Sequence, residues 1–137
     1  MFDMTAGYKK EEGALGADDL IQRVKSGYEA FGRGDVETAI ELFADDVTWT
    51  TPGNSSISGT FNGKDEVLEM WGSLGDDFSV EPQILTADAT HVVVIAKNAA
   101  KGEEWESADV FTFEGDKVKS FRGIEDPAPG ERAFPTS

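Results

Sequence analysis

Apolar residues in the first half of the chain recur at helical spacing and predict three helices. Asp18, Asp35 and Asn62 stand just before the three apolar stripes and are candidate N-caps, because their short side chains can accept a bond from the first turn. The predicted inner positions are Leu20, Val24, Tyr28 and Phe31 in the first helix, Val36, Ile40 and Phe43 in the second, and Val67, Leu68, Trp71 and Leu74 in the third.

After residue 77 the apolar period falls to two, which predicts a run of antiparallel strands. These strands are expected at about 78–87, 90–99, 103–114 and 117–125, after a short earlier strand at 47–50 and a polar loop at 53–60. Helices that precede a run of strands favour an α+β fold. We therefore expect three N-terminal helices packed on one face of a curved, mostly antiparallel sheet, with a conical hollow between them.

The chain divides into one domain and two short flanking segments. Residues 1–16 lack an apolar period and are expected to be a flexible extension, and residues 17–126 hold the predicted helices and strands. Residues 127–137 contain three prolines and are expected to be irregular. No internal repeat or linker indicates a second domain.

Residues 114–117 have the pattern of a β-hairpin with Gly115 and Asp116 at its tip. If pairing continues without a bulge, Asp109 lies opposite Arg122, and both point toward the helices from the more apolar face of the sheet. Two interpretations are open for such a pair. It is either a buried salt bridge that fixes the strand register, or the polar floor of a pocket, where Asp109 exchanges protons and Arg122 binds an anion or oxyanion.

The chain has 137 residues, with 27 Asp and Glu against 12 Lys and Arg, and its formal charge is −15. This balance disfavours nucleic acids and anionic membranes as partners, and both a high-salt cytoplasm and an ordinary acidic protein are consistent with it. One His and no Cys exclude disulfides, thiolate nucleophiles and Cys- or His-rich zinc sites, so we expect no metal and no cofactor. No apolar run could span a bilayer and no signal-peptide pattern opens the chain, so a cytoplasmic protein is expected.

Several sequence blocks, in this order and spacing, resemble SnoaL-like proteins, which belong to the nuclear transport factor 2-like superfamily alongside ketosteroid isomerase. The blocks are YEAFGRGD at 28–35, IELFADDVTW at 40–49, GTFNG at 59–63 and DVFTFEGDKV at 109–118. The resemblance covers about residues 18–126. It implies a cone-shaped α+β barrel with a pocket inside.

The resemblance also implies where the catalytic groups of two relatives would fall. In ketosteroid isomerases, the carboxylate base corresponds to Thr51, the first-helix tyrosine to Gly27 and the hydrogen-bonding aspartate to Asp109. In limonene epoxide hydrolases, the arginine corresponds to Ser107 and the second aspartate to Gly123, so again only Asp109 matches. Both catalytic sets are incomplete. The sequence does not exclude an acid-assisted ring closure of the polyketide-cyclase type, and no residue specifically indicates it.

The predicted function is the binding of a small hydrophobic or oxygenated organic molecule in the cone. Its enzymatic form is cofactor-free acid–base catalysis of an isomerase, cyclase or hydrolase type by Asp109 and Arg122. A non-catalytic binder and a dimeric association module with a filled cone are the alternatives, and the sequence leaves open whether the protein is an enzyme. The expected pocket wall is Phe31, Trp49, Phe61, Trp71, Ser107 and Phe111, and the outer sheet face expected to form a homodimer is Ala108, Val110, Phe121 and Gly123.

Overall fold

A computed structural model describes residues 15–136, which form four helices and one six-stranded sheet. The predicted extension at residues 1–16 lies outside this part of the chain except for its last two residues. The helices are α1 Ala17–Gly32, α2 Val36–Ile40, α3 Gly63–Gly72 and α4 Ala128–Ala133. The strands are β1 Phe43–Thr51, β2 Gly59–Asn62, β3 Ser79–Ala87, β4 His91–Ala100, β5 Glu103–Glu114 and β6 Lys117–Glu125.

The sheet is curved and unclosed, with the strand order β2-β1-β6-β5-β4-β3. Only β1 and β6 pair in parallel, and every other neighbouring pair of strands is antiparallel. The first three helices pack over its concave face, and the main hydrophobic core lies between them and the strands. The predicted α+β cone with a mostly antiparallel sheet is therefore confirmed.

The ends of the helices match the sequence prediction only in part. Asp35 caps α2 as predicted, because its Oδ1 accepts a bond of 3.1 Å from the backbone N–H of Thr38. At α1 the prediction of Asp18 was wrong: Gly16 is the N-cap, and its N–H donates to Oδ2 of Asp19 at 3.0 Å. Asn62 does precede α3 but makes no capping bond with its side chain.

Two edge features of the sheet differ from the prediction. β1 is nine residues long and pairs with β2, which lies partly in the segment expected to be a polar loop. The pairing of Thr48–Thr51 with residues 59–62 satisfies backbone groups that the local sequence, rich in Gly, Ser and Asn, does not mark as a strand. Tertiary pairing rather than local propensity thus forms this edge.

The C-terminal tail is also more ordered than predicted. Residues 128–133 form α4, in which the prolines occupy only the cap and first turn, where a missing N–H costs nothing. Phe134 follows the helix and is 2% exposed, packed in a second apolar cluster that includes Met70 and Leu74. The tail is therefore part of the folded unit, and the prediction of an irregular tail was wrong.

A β-bulge in the last hairpin overturns the predicted Asp109–Arg122 pair. Glu114 faces Lys117 and Phe113 faces Val118 as predicted, but Thr112 then faces Ser120, so that Lys119 has no partner in the register. The extra residue moves every later position of β6 by one, which exchanges its two faces. Asp109 consequently lies opposite Gly123, and Arg122 lies opposite Val110 on the outer face, where it is exposed.

The same shift changes the outer face of the sheet. Phe121 is 6% exposed and packs in the core, and Gly123 faces the cone, so neither belongs to the outer surface as predicted. Their place is taken by an outer row, defined as Ile84, Ile95, Ala108 and Ile124, which are register partners across β3, β4, β5 and β6. None of the helices in residues 15–136 is long and apolar enough to cross a membrane.

Candidate functional site

A cavity of about 120 Å³ lies inside the cone, between α1, α3, the tail and the concave face of the sheet. Aromatic side chains dominate its wall, whereas polar groups gather at one side on β4, β5 and β6. A preformed apolar cavity with a few convergent polar groups is the usual form of a small-molecule site. The aromatic lining residues are Tyr28, Phe31, Phe43, Trp49, Trp71, Phe78, Trp105, Phe111 and Phe121.

Asp109 is the most buried ionisable group of this wall, with 6% of its surface exposed. The hydroxyl Oη of Tyr28 donates to its Oδ2 at 2.5 Å, and the hydroxyl of Ser107 also donates to this carboxyl group. Asn98 completes the chain, because its Nδ2 donates to Oγ of Ser107 at 2.9 Å. The four side chains therefore form one connected hydrogen-bond network.

The two partners of the shortest bond in this network have raised pKa values. Burial raises the pKa of Asp109, and the hydrogen bonds from Tyr28 and Ser107 oppose that shift without cancelling it. Burial and the charge of Asp109 raise the pKa of Tyr28 far above its usual value, so its proton stays in place. When Asp109 is protonated, it and Tyr28 carry two O–H groups. Only one of these groups is used in the hydrogen bond between the two residues, so the other can donate to an oxygen of a ligand.

Glu125 is a second carboxyl group on the same wall. It ends β6 opposite Ser107, and burial, the charge of Asp109 and the charge of Asp126 raise its pKa to about 7. The indole of Trp105 donates a hydrogen bond that opposes this shift. A carboxyl group of this pKa changes its charge near neutral pH and can give or accept a proton there.

The aromatic wall is built around Trp49. Its ring stacks on Phe121 with 3.7 Å between centroids and 15° between planes, and it meets Trp71 edge-on at 5.8 Å. Nε1 of Trp49 is buried and has no hydrogen-bond partner in the described part of the chain. An unpaired buried N–H costs roughly 1–3 kcal/mol, which the packing of the ring against Phe121 and Trp71 has to offset.

The tail and the loop after β1 close one end of the cavity. Pro127 and Gly130 of the tail line it together with Ser55, Ile57 and Ser58 of the loop. The two segments are joined by a bond of 2.8 Å from the N–H of Ser56 to the carbonyl oxygen of Phe134, and by one of 2.7 Å from the N–H of Asn54 to Glu131. Residues that looked irregular in the sequence thus form part of the site.

Most of the residues predicted for the pocket do line this cavity. Phe31, Trp49, Trp71, Ser107, Phe111 and Asp109 are on its wall. Phe61 is not a lining residue; it packs on the core, and Arg122 lies on the other face of the sheet. The alternative of a cone filled by its own side chains predicted no such cavity, and the structure contradicts it.

Three polar residues of the cavity wall, Tyr28, Glu125 and Asn98, are not predicted as site residues from the sequence. Tyr28 looked like one more apolar position of the first helix, although its hydroxyl had no partner assigned. An uninterrupted hairpin register would place Glu125 on the outer face together with Gly123, and Asn98 lies in a strand pattern with no unusual feature. The signal that could have found Glu125 is Phe121, because a large aromatic residue two positions before Gly123 fits the buried face better.

The catalytic positions implied by the resemblance do face the cavity. Thr51, Gly27 and Gly123 are all lining residues, and none carries a carboxyl or phenol group. Tyr28, adjacent to Gly27, supplies the hydroxyl that reaches Asp109. Within residues 15–136 no three His, Cys, Asp or Glu side chains are grouped so as to hold a metal ion.

Comparisons with known proteins agree with this architecture. A family model described as a SnoaL-like domain matches residues 24–121. An uncharacterized protein of Mycobacterium bovis is 37% identical over 54 residues, which are 39% of this chain and 39% of that protein. This match therefore spans less than half of that relative.

Two solved structures illustrate the likeness of the fold. Bal32a, from a soil-derived mobile gene cassette, is 26% identical, with a TM-score of 0.80 over 86% of this chain and 98% of its own. TerC, co-crystallized with polyporic acid, is 18% identical, with a TM-score of 0.72 over 85% of this chain and 98% of its own. The second likeness shows the fold alone.

Proposed function

We propose, from the premise that this chain belongs to the SnoaL-like domain family of the nuclear transport factor 2-like superfamily, that it binds a small oxygenated organic molecule in the cone and acts on it by cofactor-free acid–base chemistry. The fold hosts many functions, so the proposal rests on the site. One observation carries it: Tyr28 donates at 2.5 Å to a buried carboxyl group, Asp109, on the wall of an aromatic cavity.

In this proposal the Tyr28–Asp109 pair binds an oxygen of the ligand. A donor fixed in a cavity that excludes water stabilises negative charge that develops on a carbonyl, lactone or epoxide oxygen. Asp109 keeps its proton to a higher pH than a free aspartic acid because burial raises its pKa, and it can therefore serve as the acid. Arg122 has no part in this mechanism, because it points away from the cavity.

The experiment is a comparison of binding and turnover in wild type and in the Asp109→Asn variant. Single-ring ketones, lactones and epoxides are screened by thermal shift, and compounds that bind are followed by NMR in D₂O for deuterium uptake or ring opening. Turnover should fall by about 100-fold in Asp109→Asn while the affinity changes little, as is typical of the loss of one transition-state donor. Equal turnover in both proteins would contradict the proposal.

A non-catalytic binder is the second candidate, and the closed hydrogen-bond network favours it. Tyr28 and Ser107 already donate to the carboxyl group of Asp109, and Asn98 donates to Ser107, so this carboxyl group has hydrogen-bond partners without a ligand. Such a network fixes the shape of a pocket even where no proton is transferred. Compounds that bind to the wild type and remain unchanged would support this candidate over the enzyme.

We further propose that the outer row forms the centre of a homodimer interface. Ile84 is 59% exposed and Ile124 is 49% exposed, and an apolar row across four strands is a surface that a second copy can cover. Sedimentation of the wild type should give a dimer, and Ile124→Glu should give a monomer, because it places a charge in the contact. A monomeric wild type at micromolar concentration would overturn this proposal.

A further inference from the structure

Every side chain on the cavity wall that can carry a charge near neutral pH is acidic. Asp109 and Glu125 are its two ionisable carboxyl groups, and no Lys, Arg or His among residues 15–136 lines it. A buried carboxylate without a counter-ion is costly, and each of the two raises the cost of ionising the other. The wall therefore disfavours an anionic ligand and would be stabilised by a cationic one.

Nearby cations are already engaged elsewhere. Arg132 pairs with Glu103 at 2.9 Å, and Nζ of Lys101 lies 4.4 Å from the ring centroid of Phe134. None of the ion pairs found in the described part of the chain involves Asp109 or Glu125. Within the described residues, Asp109 has Tyr28 and Ser107 as hydrogen-bond donors, whereas the donor to Glu125 is the indole of Trp105. Neither carboxyl group thus has a partner of opposite charge among residues 15–136, and Glu125 has fewer hydrogen-bond donors there than Asp109.

The rest of the wall suits a cation as well. Aromatic faces attract ammonium groups, and cages of aromatic rings beside a carboxylate are a known way of holding them. Trp105 donates to Glu125, and Trp49, Trp71 and Phe31 supply further faces in the same cavity. The formal charge of −15 on the whole chain also draws cations toward its surface.

We infer that the ligand of this cavity carries a protonated amine, which Glu125 holds while the ring of the ligand packs among the aromatic walls. The inference rests on the proposed function, because it concerns the same ligand. Glu125 binds the nitrogen of this ligand, and Tyr28 and Asp109 bind its oxygen. The cavity of about 120 Å³ limits the buried part of the ligand to at most a single ring, since an apolar cavity of about 150 Å³ holds benzene. The ligand class is therefore a small cyclic compound that bears both an oxygen and a basic nitrogen.

Three probes of nearly equal size and different charge test this inference on the full chain. Benzylamine is cationic, benzyl alcohol is neutral and benzoate is anionic. Their binding can be followed by intrinsic fluorescence, because all three tryptophans of the protein, Trp49, Trp71 and Trp105, line the cavity. We expect benzylamine to bind at least about tenfold more tightly than benzyl alcohol, and benzoate to bind no better than the alcohol.

A pair of variants assigns the effect to Glu125. Glu125→Gln should remove the preference for benzylamine and leave the affinity for benzyl alcohol nearly unchanged. Glu106→Gln is the matched control, because it removes the same charge from an exposed residue of β5 on the opposite face of the sheet, and it should keep the preference. Thermal unfolding of each variant confirms that it is folded, and the probe series on the wild type tests the inference even if a variant is not.

The outcomes separate this inference from the proposed function. If benzyl alcohol binds as tightly as benzylamine, the cationic class is overturned while a ligand-binding cone stands. If benzoate binds best, the assignment of charge is wrong. If benzylamine is preferred equally by wild type and Glu125→Gln, the nitrogen is not held by Glu125. If none of the three probes binds at millimolar concentration, both the inference and the proposed binding function are overturned.

Discussion

The two carboxyl groups on the cavity wall differ in their burial and in their hydrogen-bond donors. Asp109 is almost completely buried and receives two hydroxyl donors, whereas Glu125 is half-buried at the end of β6 and receives one indole donor. Burial raises both pKa values, and that of Glu125, beside the tail, is raised to about 7. The environment of each residue, and not its type, therefore sets its role.

The coupling between Tyr28 and Asp109 can be measured as a free energy of unfolding. Tyr28→Phe, Asp109→Leu and the double variant form a cycle in which the hydrogen bond of 2.5 Å is the shared interaction, because Phe lacks the donor and Leu lacks the acceptor. We expect a coupling of about 1.5–3 kcal/mol, because a hydrogen bond to a buried acidic group is lost in each single variant. Urea unfolding supplies the data, and effects that add to within about 0.5 kcal/mol would show that the bond does not stabilise the fold.

The stability of the protein should depend on pH through Glu125. Its pKa rises from 4.5 in the unfolded chain to about 7 in the folded one, so the folded chain binds this proton more tightly. The resulting stabilisation is complete below about pH 4.5 and is lost as the pH rises through about 7.

Glu125→Gln isolates this effect, because its side chain stays neutral at every pH. Asp109, whose pKa is also raised, contributes in the same direction in both proteins, and it contributes less in the variant because the neighbouring charge is absent. Urea unfolding at about pH 5 and about pH 8 should show a fall in the free energy of unfolding that is larger in wild type than in Glu125→Gln. A fall of equal size in the two proteins would refute the assignment.

At the scale of elements, the bulge at Lys119 determines which face of β6 enters the cone. With the bulge, Phe121 and Gly123 point inward and Arg122 points outward; without it, these faces exchange. The cost of the bulge is one residue without a register partner. Its benefit is the burial of an aromatic ring that stacks on Trp49.

Deletion of Lys119 should therefore destabilise the domain strongly. We expect a loss of at least about 3 kcal/mol, because Phe121 would leave the core and Arg122 would be turned toward it. Lys119→Ala is the control, since it keeps the length of β6 and removes an exposed ion pair with Asp46, which solvent screens. Chemical unfolding compares the two, and similar stabilities would show that β6 tolerates either register.

At the scale of the molecule, the charge of −15 lowers the stability of the compact state by self-repulsion. The exposed ion pairs of Lys64 with Asp45, Lys119 with Asp46 and Arg132 with Glu103 offset only a small part of it. Repulsion among exposed charges is screened over about 10 Å at 0.1 M salt and over about 3 Å at 1 M. Salt should therefore stabilise this protein.

The melting temperature should rise when potassium chloride is increased from about 0.1 M to about 1 M, because screening weakens the repulsion among acidic side chains. An uncharged osmolyte at matched osmolality is the control, since it does not screen charge. Differential scanning calorimetry measures both series. A melting temperature that falls or stays constant with salt would mean that the acidic surface does not limit stability.

Local pattern was sufficient for much of the fold. The helical stripe at Leu20 and Val24, the period-two strands of the second half and the hairpin tip at Gly115 are set by neighbours close in sequence, and the structure has all of them. Edge strand β2 and helix α4 were not predictable in this way, because both depend on pairing or packing with distant residues. The same division holds for the site, where aromatic residues such as Trp49 and Trp71 were predicted and the polar partners were not.

The sequence by itself determined the family, through the resemblance of its sequence blocks. It also determined the α+β class, the acidic surface and the inward position of Asp109, which follow from periodicity, composition and a hairpin whose first pairs are local. Only the tertiary structure decided what Asp109 meets. One unpaired residue in β6 removed Arg122 from the cone, while Tyr28 came into reach from a helix 81 positions away in sequence. Side-chain partners across such distances depend on strand register and helix placement, and a change of one residue in register exchanges the faces of a strand.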